Sequence, residues 1–266
     1  MSRETTISRD LETAWFEAIP ARISSRRFTG EALTSAELDR LEQTCERLST
    51  PSGSARAILI RTAPPEVFTG LVGSYGRIEG APSCVALVGA DDAGHEIGYI
   101  GEAIVLDATI GDIESCWIAL AFDAERVGPL VGLADGERVH GILALGHATE
   151  TPSFSERLGR AAMRARKRLP LEKIAPGHEG WPAWAQEAIV AARLAPTGAN
   201  RQPCRFHMDG DALVMTTAPK PYWTAPLDRG ITMLHAELGA AHAGVSGRWT
   251  ANPAGDLARF VPQSAS

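Results

Sequence analysis

Long apolar runs are missing from this 266-residue chain. No stretch reaches the roughly 18 apolar residues that a membrane-spanning helix needs, so none is predicted. The first ten residues, M-S-R-E-T-T-I-S-R-D, hold no apolar core, so no signal peptide is expected. Cysteine is scarce. Cys45, Cys84, Cys116 and Cys204 form no C-x-x-C pair and no zinc-ligand spacing. They read as buried thiols of a reducing compartment, and the expectation is a cytoplasmic protein without a metal. Positive charge is also short: the net charge is −6, which disfavours nucleic acid as a partner. Gly70 to Gly80 is glycine-rich but has neither the dinucleotide fingerprint nor phosphate-loop spacing, so it reads as a plain loop.

What is present suffices for a sizeable core, with 44% hydrophobic residues. Two stretches stand out. One is Leu194 to Phe206, L-A-P-T-G-A-N-R-Q-P-C-R-F. It follows a helix predicted over Trp181–Arg193, and Pro196, Gly198 and Pro203 force a turn. Asn200 and Gln202 place two amides, each both donor and acceptor, inside that turn. Such a loop can hold a flat hydrogen-bonding ring; it equally reads as a connector. The other is Arg22 to Phe28, R-I-S-S-R-R-F, with three cations and two hydroxyls. It can hold a phosphate or face water.

Between them the pattern predicts a helix near residues 10–19, ended by Pro20, and a capping box at Thr34–Glu37 opening a helix to Leu48. A strand over Ala57–Arg61, a short helix over Val67–Val72 and a buried strand over Cys84–Val88 follow. Then come a long apolar helix over Ile100–Leu120 and a strand over Ile142–Leu145. Ser155–Lys167 reads as a basic helix with Arg157, Arg160 and Arg164 on one face, followed by Arg166, Lys167 and Arg168. Strands at Phe206–Met208 and Leu213–Thr217, a helix over Asp228–Val245 and a poorly ordered tail from Pro253 complete the reading.

The chain also repeats itself weakly. Helix, P-S-G-S at Pro51 to Ser54, two strands and a long helix ending at Trp117 match helix, P-T-G-A at Pro196 to Ala199, two strands and a long helix ending near Trp249. In the first copy Ala55 stands in the place of Asn200, and no Q-P follows. His235 and His242 lie seven residues apart on one helix. That is about 10 Å, too far for one ion.

The two stretches together resemble the FMN-dependent nitroreductase family, which carries R-R-S-x-R-x-F near its N-terminus and A-P-S-x-x-N-x-Q-P-W-x-F after a helix. Arg22, Ser24, Arg26 and Phe28 match the first; Pro196, Thr197, Asn200, Gln202 and Pro203 match the second. Ordinary members place the second motif about one helix after the first and are intertwined homodimers whose flavins sit between subunits. Here the motifs lie nearly a chain apart. The resemblance therefore implies an α+β, nitroreductase-like three-layer fold with two related halves forming a pseudo-dimer. Residues 1–175 would form one half and 176–266 a shorter one, intertwined with it, with one FMN per chain.

By resemblance, Arg22, Arg166 and Arg168 hold the FMN phosphate, and Ser24 bonds the phosphate or ribityl chain. Arg26 lies near the pyrimidine edge. Asn200 and Gln202 bond the ribityl chain or ring, and Pro196, Thr197 and Gly198 pack beside it. A backbone N–H of Leu120 or Ala121 faces flavin N5. The implied reaction is ping-pong, from NADH or NADPH through FMN to a small electrophile such as a nitroaromatic or quinone, in a monomer or loose homodimer. Cys204 replaces the family's usual tryptophan. Two other readings stay open: a non-catalytic flavin-binding protein, and an anion- or nucleic-acid-binding module built on the basic helix 157–168.

Overall fold

The structure is a computed structural model, and it describes residues 8–49, 54–68, 77–119, 122–149, 168–217, 222–251 and 257–263. It opens with α1 (Arg9–Ala21) and α2 (Ser35–Leu48). The expected capping box is there. Thr34 Oγ1 accepts from the Glu37 N–H, and Glu37 Oε2 accepts from the Thr34 N–H at 2.7 Å. This satisfies donors that the helix start would otherwise leave unbonded. Then come β1 (Ala55–Ile60), a single 3₁₀ turn at Pro65–Phe68, β2 (Ser83–Ala90), α3 (Gly94–Ile110), β3 (Glu114–Ile118), α4 (Ala124–Val131) and β4 (Glu137–Gly146). The second part holds α5 (Leu171–Ile174), α6 (Ala183–Ala192), β5 (Cys204–Asp209), β6 (Ala212–Thr217), α7 (Ala225–His242), β7 (Gly247–Ala251) and β8 (Leu257–Pro262).

The strands form two antiparallel sheets, ordered β1-β2-β4-β3 and β5-β6-β8-β7. The second order repeats the first strand for strand. One apolar core runs from Val85, Leu87, Leu143 and Leu145 of the first sheet, through α3 and α7, to Phe206, Leu213, Met215 and Phe260 of the second. The opposite face of the first sheet packs Ala86, Val88 and Ile142 against Val67, Phe68 and Val127. That double burial explains why β2 and β4 read as continuous apolar runs.

α3 and α7 cross closely because glycine stands at the crossing. A Cβ on Gly98 would lie 2.1 Å from the Leu227 carbonyl oxygen, and one on Gly230 would lie 1.9 Å from that of His95. The same number of residues separates His95 from Leu227, Gly98 from Gly230 and Trp117 from Trp249. The crossing is thus symmetric in sequence and in space. α1 reaches over to the second part, where the Phe16 ring stacks on His242 at 4.0 Å. Among the described residues, no helix is long and apolar enough to cross a membrane.

Four expectations change. The helix expected over Ile100–Leu120 ends at Ile110; Gly111 and Asp112, with Asp112 at φ 55°, turn the chain, and Trp117 lies on β3. The helix expected to Val245 ends at His242, and Trp249 lies on β7 after a turn at Gly244, φ 83°. The tail holds β8, which pairs with both β6 and β7. Pro20 sits inside α1, which continues to Ala21. The basic helix over Ser155–Lys167 lies outside the described residues, as does most of the Gly70–Gly80 loop.

Candidate functional site

The Arg22–Phe28 segment leaves α1 and runs along the outer edge of the first sheet. Ser24 bridges Ser115 of β3, and the Ser25 N–H donates to the Ser115 carbonyl at 2.9 Å. Phe28 bridges Ala148 and is buried. These ties explain how a charged segment becomes a fixed edge. They turn Arg22 inward: it is only 7% exposed. Its Nε lies 3.7 Å from Glu102 Oε1 on α3, and its Nη1 donates to Ser24 Oγ at 3.2 Å. Arg26 is half-buried. Burial pushes the Cys116 thiol up, while Arg26 and Arg22 both pull it back.

Glu102 is fully buried and is approached from three directions. Trp117 Nε1 donates to Oε2 at 2.8 Å, Arg22 approaches Oε1, and His235 Nε2 of α7 lies 3.0 Å from Oε1. The other ring nitrogen of His235, Nδ1, lies 3.2 Å from the Ala191 carbonyl oxygen on α6. This network joins the two halves through groups that the sequence does not visibly pair.

The amide loop begins where α6 stops. Its backbone is left-handed at Ala199 (φ 51°), Asn200 (φ 55°) and Gln202 (φ 48°), three non-glycine residues in a region L side chains rarely adopt. Such conformations persist only where the surroundings hold them, and they gather at ligand sites. Here the hold is visible. Arg168 Nη1 donates to the Ala195 carbonyl at 2.7 Å and to Asn200 Oδ1 at 3.2 Å, and its Nη2 donates to the Leu194 carbonyl at 2.9 Å. Gln202 Oε1 accepts from the Leu169 N–H at 2.7 Å, and its Nε2 donates to Asn200 Oδ1 at 3.3 Å. Two donors on Oδ1 fix the Asn200 amide, so its NH₂ side points away from Arg168. Asn200 itself is exposed.

Beneath the loop, Asp228 of α7 accepts from the Gly198 N–H at 2.9 Å and from the Tyr222 hydroxyl. Gly198 is required by space, since a Cβ would lie 2.5 Å from Thr224 Oγ1. Burial pushes the Asp228 carboxyl up to about 6, against the pull of its bonds from Tyr222, Gly198 and Thr224. Arg201 lies over the Tyr222 ring, 4.3 Å from its centre. Cys204 is buried, its thiol pushed up to about 12 by that burial, and its Sγ–H donates to Thr232 Oγ1 at 3.5 Å. It is a packed, unreactive thiol.

The structure therefore gathers Arg168 with Pro196–Gln202 above Asp228, and Arg22 with Ser24 above Glu102. His235 and Ala191 link the two groups. Arg166, Leu120 and Ala121 lie outside the described residues. The sequence reading gives Glu102, Asp228 and Tyr222 no role and weighs His235 only as a metal ligand. The hint lies in the carboxylates, Glu102 among them, that interrupt a largely apolar helix. His235, weighed there with His242, faces Glu102, whereas His242 stacks on Phe16.

Residues 14–240 match the family model described as "Putative TM nitroreductase". The chain belongs to this nitroreductase family. The Thermotoga maritima MSB8 protein tm1586, described in similar terms, is 21% identical over 93% of both chains with a TM-score of 0.62, which shows a shared nitroreductase fold. An FMN-bound nitroreductase from Desulfitobacterium hafniense DCB-2 is 21% identical over 52% of this chain and 91% of its own, TM-score 0.45. An NADPH:FMN oxidoreductase from Vibrio harveyi complexed with NAD⁺ is 18% identical over 52% and 70%, TM-score 0.42. A search of curated proteins gives no match.

Proposed function

We propose that this nitroreductase-family chain is an FMN-dependent oxidoreductase that takes electrons from NADH or NADPH and passes them to a small electrophile such as a nitroaromatic or quinone. The observation that carries this is the Ala199–Gln202 turn, three left-handed non-glycine residues braced by Arg168, Gln202 and Asp228. The donor set suits the cofactor. Arg22, Ser24 and Arg26 offer cations and a hydroxyl for a phosphate and ribityl chain, with Arg168 and Arg166 as further cations. Asn200 and Gln202 are the amides assigned to the ribityl chain or ring edge. Pro196, Thr197 and Gly198 form the close-packed shoulder. When bound, FMN would supply the hydride chemistry; the chain binds it, orients it and sets the charge around it.

The two halves act as a fused pair with a single site in this reading. Residues 1–175 supply the basic segment and residues 176–266 the amide loop. In the first half the sequence P-S-G-S at Pro51 to Ser54 leads straight into β1 at Ala55 without N-R-Q-P, so it has no amides to offer a second flavin. Flavin counted by absorbance against chain concentration should give one FMN per chain, bleached anaerobically by NADH or NADPH. Two per chain would end the one-site reading. Bound flavin that neither nucleotide reduces would make this a flavin-binding protein without turnover.

A further inference from the structure

An arginine stands at matching places in the two halves and is used differently. The match of P-S-G-S with P-T-G-A sets Ala55 against Asn200 and Arg56 against Arg201. In the first half Arg56 holds a carboxylate: its Nε donates to Glu137 Oε1 at 2.9 Å and its Nη2 to Oε2 at 2.6 Å. This is the bidentate fork that guanidinium and carboxylate form best. Arg201 is exposed and, among the described residues, has no carboxylate within ion-pair distance. Its guanidinium lies over the Tyr222 ring instead, 4.3 Å from the centre. A guanidinium held over a ring face keeps its N–H edge for an oxygen anion. Tyr222 is anchored in turn, because its hydroxyl donates to Asp228, the carboxylate that also holds the Gly198 N–H. Asp228 feels the Arg201 charge, but it is buried beneath the loop and engaged by those two donors. The cation is thus tied to the turn that carries Asn200 and Gln202.

The residue after Tyr222, Trp223, is 51% exposed, more than any other large hydrophobic side chain among the described residues. The offset that pairs Gly98 with Gly230 sets Asp91 against Trp223, so the first half has an acid in place of the indole. We propose that Arg201 and Trp223 are specificity-determining residues for the electron acceptor: Arg201 takes the carboxylate of a planar aromatic electrophile, and Trp223 stacks on its ring. This rests on the flavin reading above and deepens it, from a small electrophile to an anionic aromatic one. A planar carboxylate matches the planar fork, as Glu137 does for Arg56, and an indole face suits a flat ring.

The test uses the FMN-loaded full chain without reductant, so that nothing turns over. Difference absorbance of the bound flavin follows titration with 4-nitrobenzoate and with 4-nitrobenzamide, its neutral counterpart of similar shape. Arg201→Ala should lower the preference for the carboxylate over the amide about tenfold, the scale of one lost charge-assisted fork. Arg201→Glu should lower it further. Trp223→Ala should weaken both ligands alike, by roughly fivefold, and keep their ratio. An unchanged preference in Arg201→Ala, or an equal loss of both ligands there, overturns the proposal. So does a Trp223→Ala variant that weakens neither ligand, or 4-nitrobenzoate that leaves the wild-type flavin spectrum unmoved. Should Arg201→Ala fail to fold, Arg201→Gln is read in its place by the same criterion. Titration with NADP⁺ and NAD⁺ forms the second arm. If Arg201→Ala lowers the preference for NADP⁺ over NAD⁺ and spares that for 4-nitrobenzoate, Arg201 reads a nucleotide phosphate and the proposal falls. A wild-type chain that takes up no FMN overturns the flavin reading itself, and this inference with it.

Discussion

The two halves share a frame and differ in what is mounted on it. Both have four strands in one antiparallel order, a long helix crossing its counterpart at a glycine, and a tryptophan on the strand that follows. Both have an acidic residue in the first turn of that helix reaching back to the preceding turn. Ser54 Oγ donates to Glu96 Oε2 at 2.6 Å in one, and the Gly198 N–H donates to Asp228 Oδ1 at 2.9 Å in the other. The polar groups diverge. Glu102 answers to Leu234, and the amide loop answers to the sequence P-S-G-S, which has no amide side chain. Backbone crossing and sheet order correspond in the two, and α3 and α7 pack on each other at the glycines.

The shared frame is broken most sharply at the helix crossing. Gly230→Ala would press a methyl group into the His95 carbonyl, and Gly98→Ala into that of Leu227. Both contacts involve backbone, which cannot swing aside, so each should cost about 3 kcal/mol. Gly180→Ala, with nothing within 4 Å, is the control and should stay within about 0.5 kcal/mol. Urea midpoints decide it. A mild Gly230→Ala beside a severe Gly98→Ala would show the crossing to be unequal.

The second contrast sets Asp228 against Glu96. Asp228 is 2% exposed, whereas Glu96 is half-exposed. Burial holds the Asp228 carboxyl near 6 when folded, above its ordinary range, so the folded chain keeps a proton that the unfolded chain has released. That contribution is fully present below about pH 4 and is lost as pH rises through about 6. The stability of wild type relative to Asp228→Asn should therefore fall by roughly 2 kcal/mol between pH 4 and pH 7.5. A gap that stays flat in urea melts at the two pH values would rule out the buried acid.

Much of this was legible from sequence where the signal is local. The Thr34 cap, the buried β2 and β4 runs and the Pro196–Pro203 turn are each written within a few residues. Both long helices end short of their tryptophans, because scattered apolar residues on the way to Trp117 and Trp249 do not distinguish helix from strand. The breaks are the turns at Asp112 and Gly244. β8 was hidden because Leu257–Pro262 is held by β6 and β7 rather than by its own pattern. The Glu102–His235 pair spans 133 residues, so no window could contain it; only the crossing of α3 and α7 brings it together.

The smallest expected effect concerns how the corresponding helices α2 and α6 begin. Thr34 gives α2 a side-chain cap, with Oγ1 accepting from the Glu37 N–H at 3.3 Å, while α6 opens at Pro182 with no side-chain hydrogen bond. Thr34→Ala should cost about 1 kcal/mol, the ordinary worth of an N-cap hydroxyl. Part of the box survives, because Glu37 Oε2 still accepts from the residue-34 N–H. Pro182→Ala removes no bond and acts mainly by loosening the unfolded chain, so it should cost no more than about 0.5 kcal/mol. Equal losses in the two thermal melts would mean that the α2 cap adds nothing beyond backbone stiffness, and that the helix starts are alike after all.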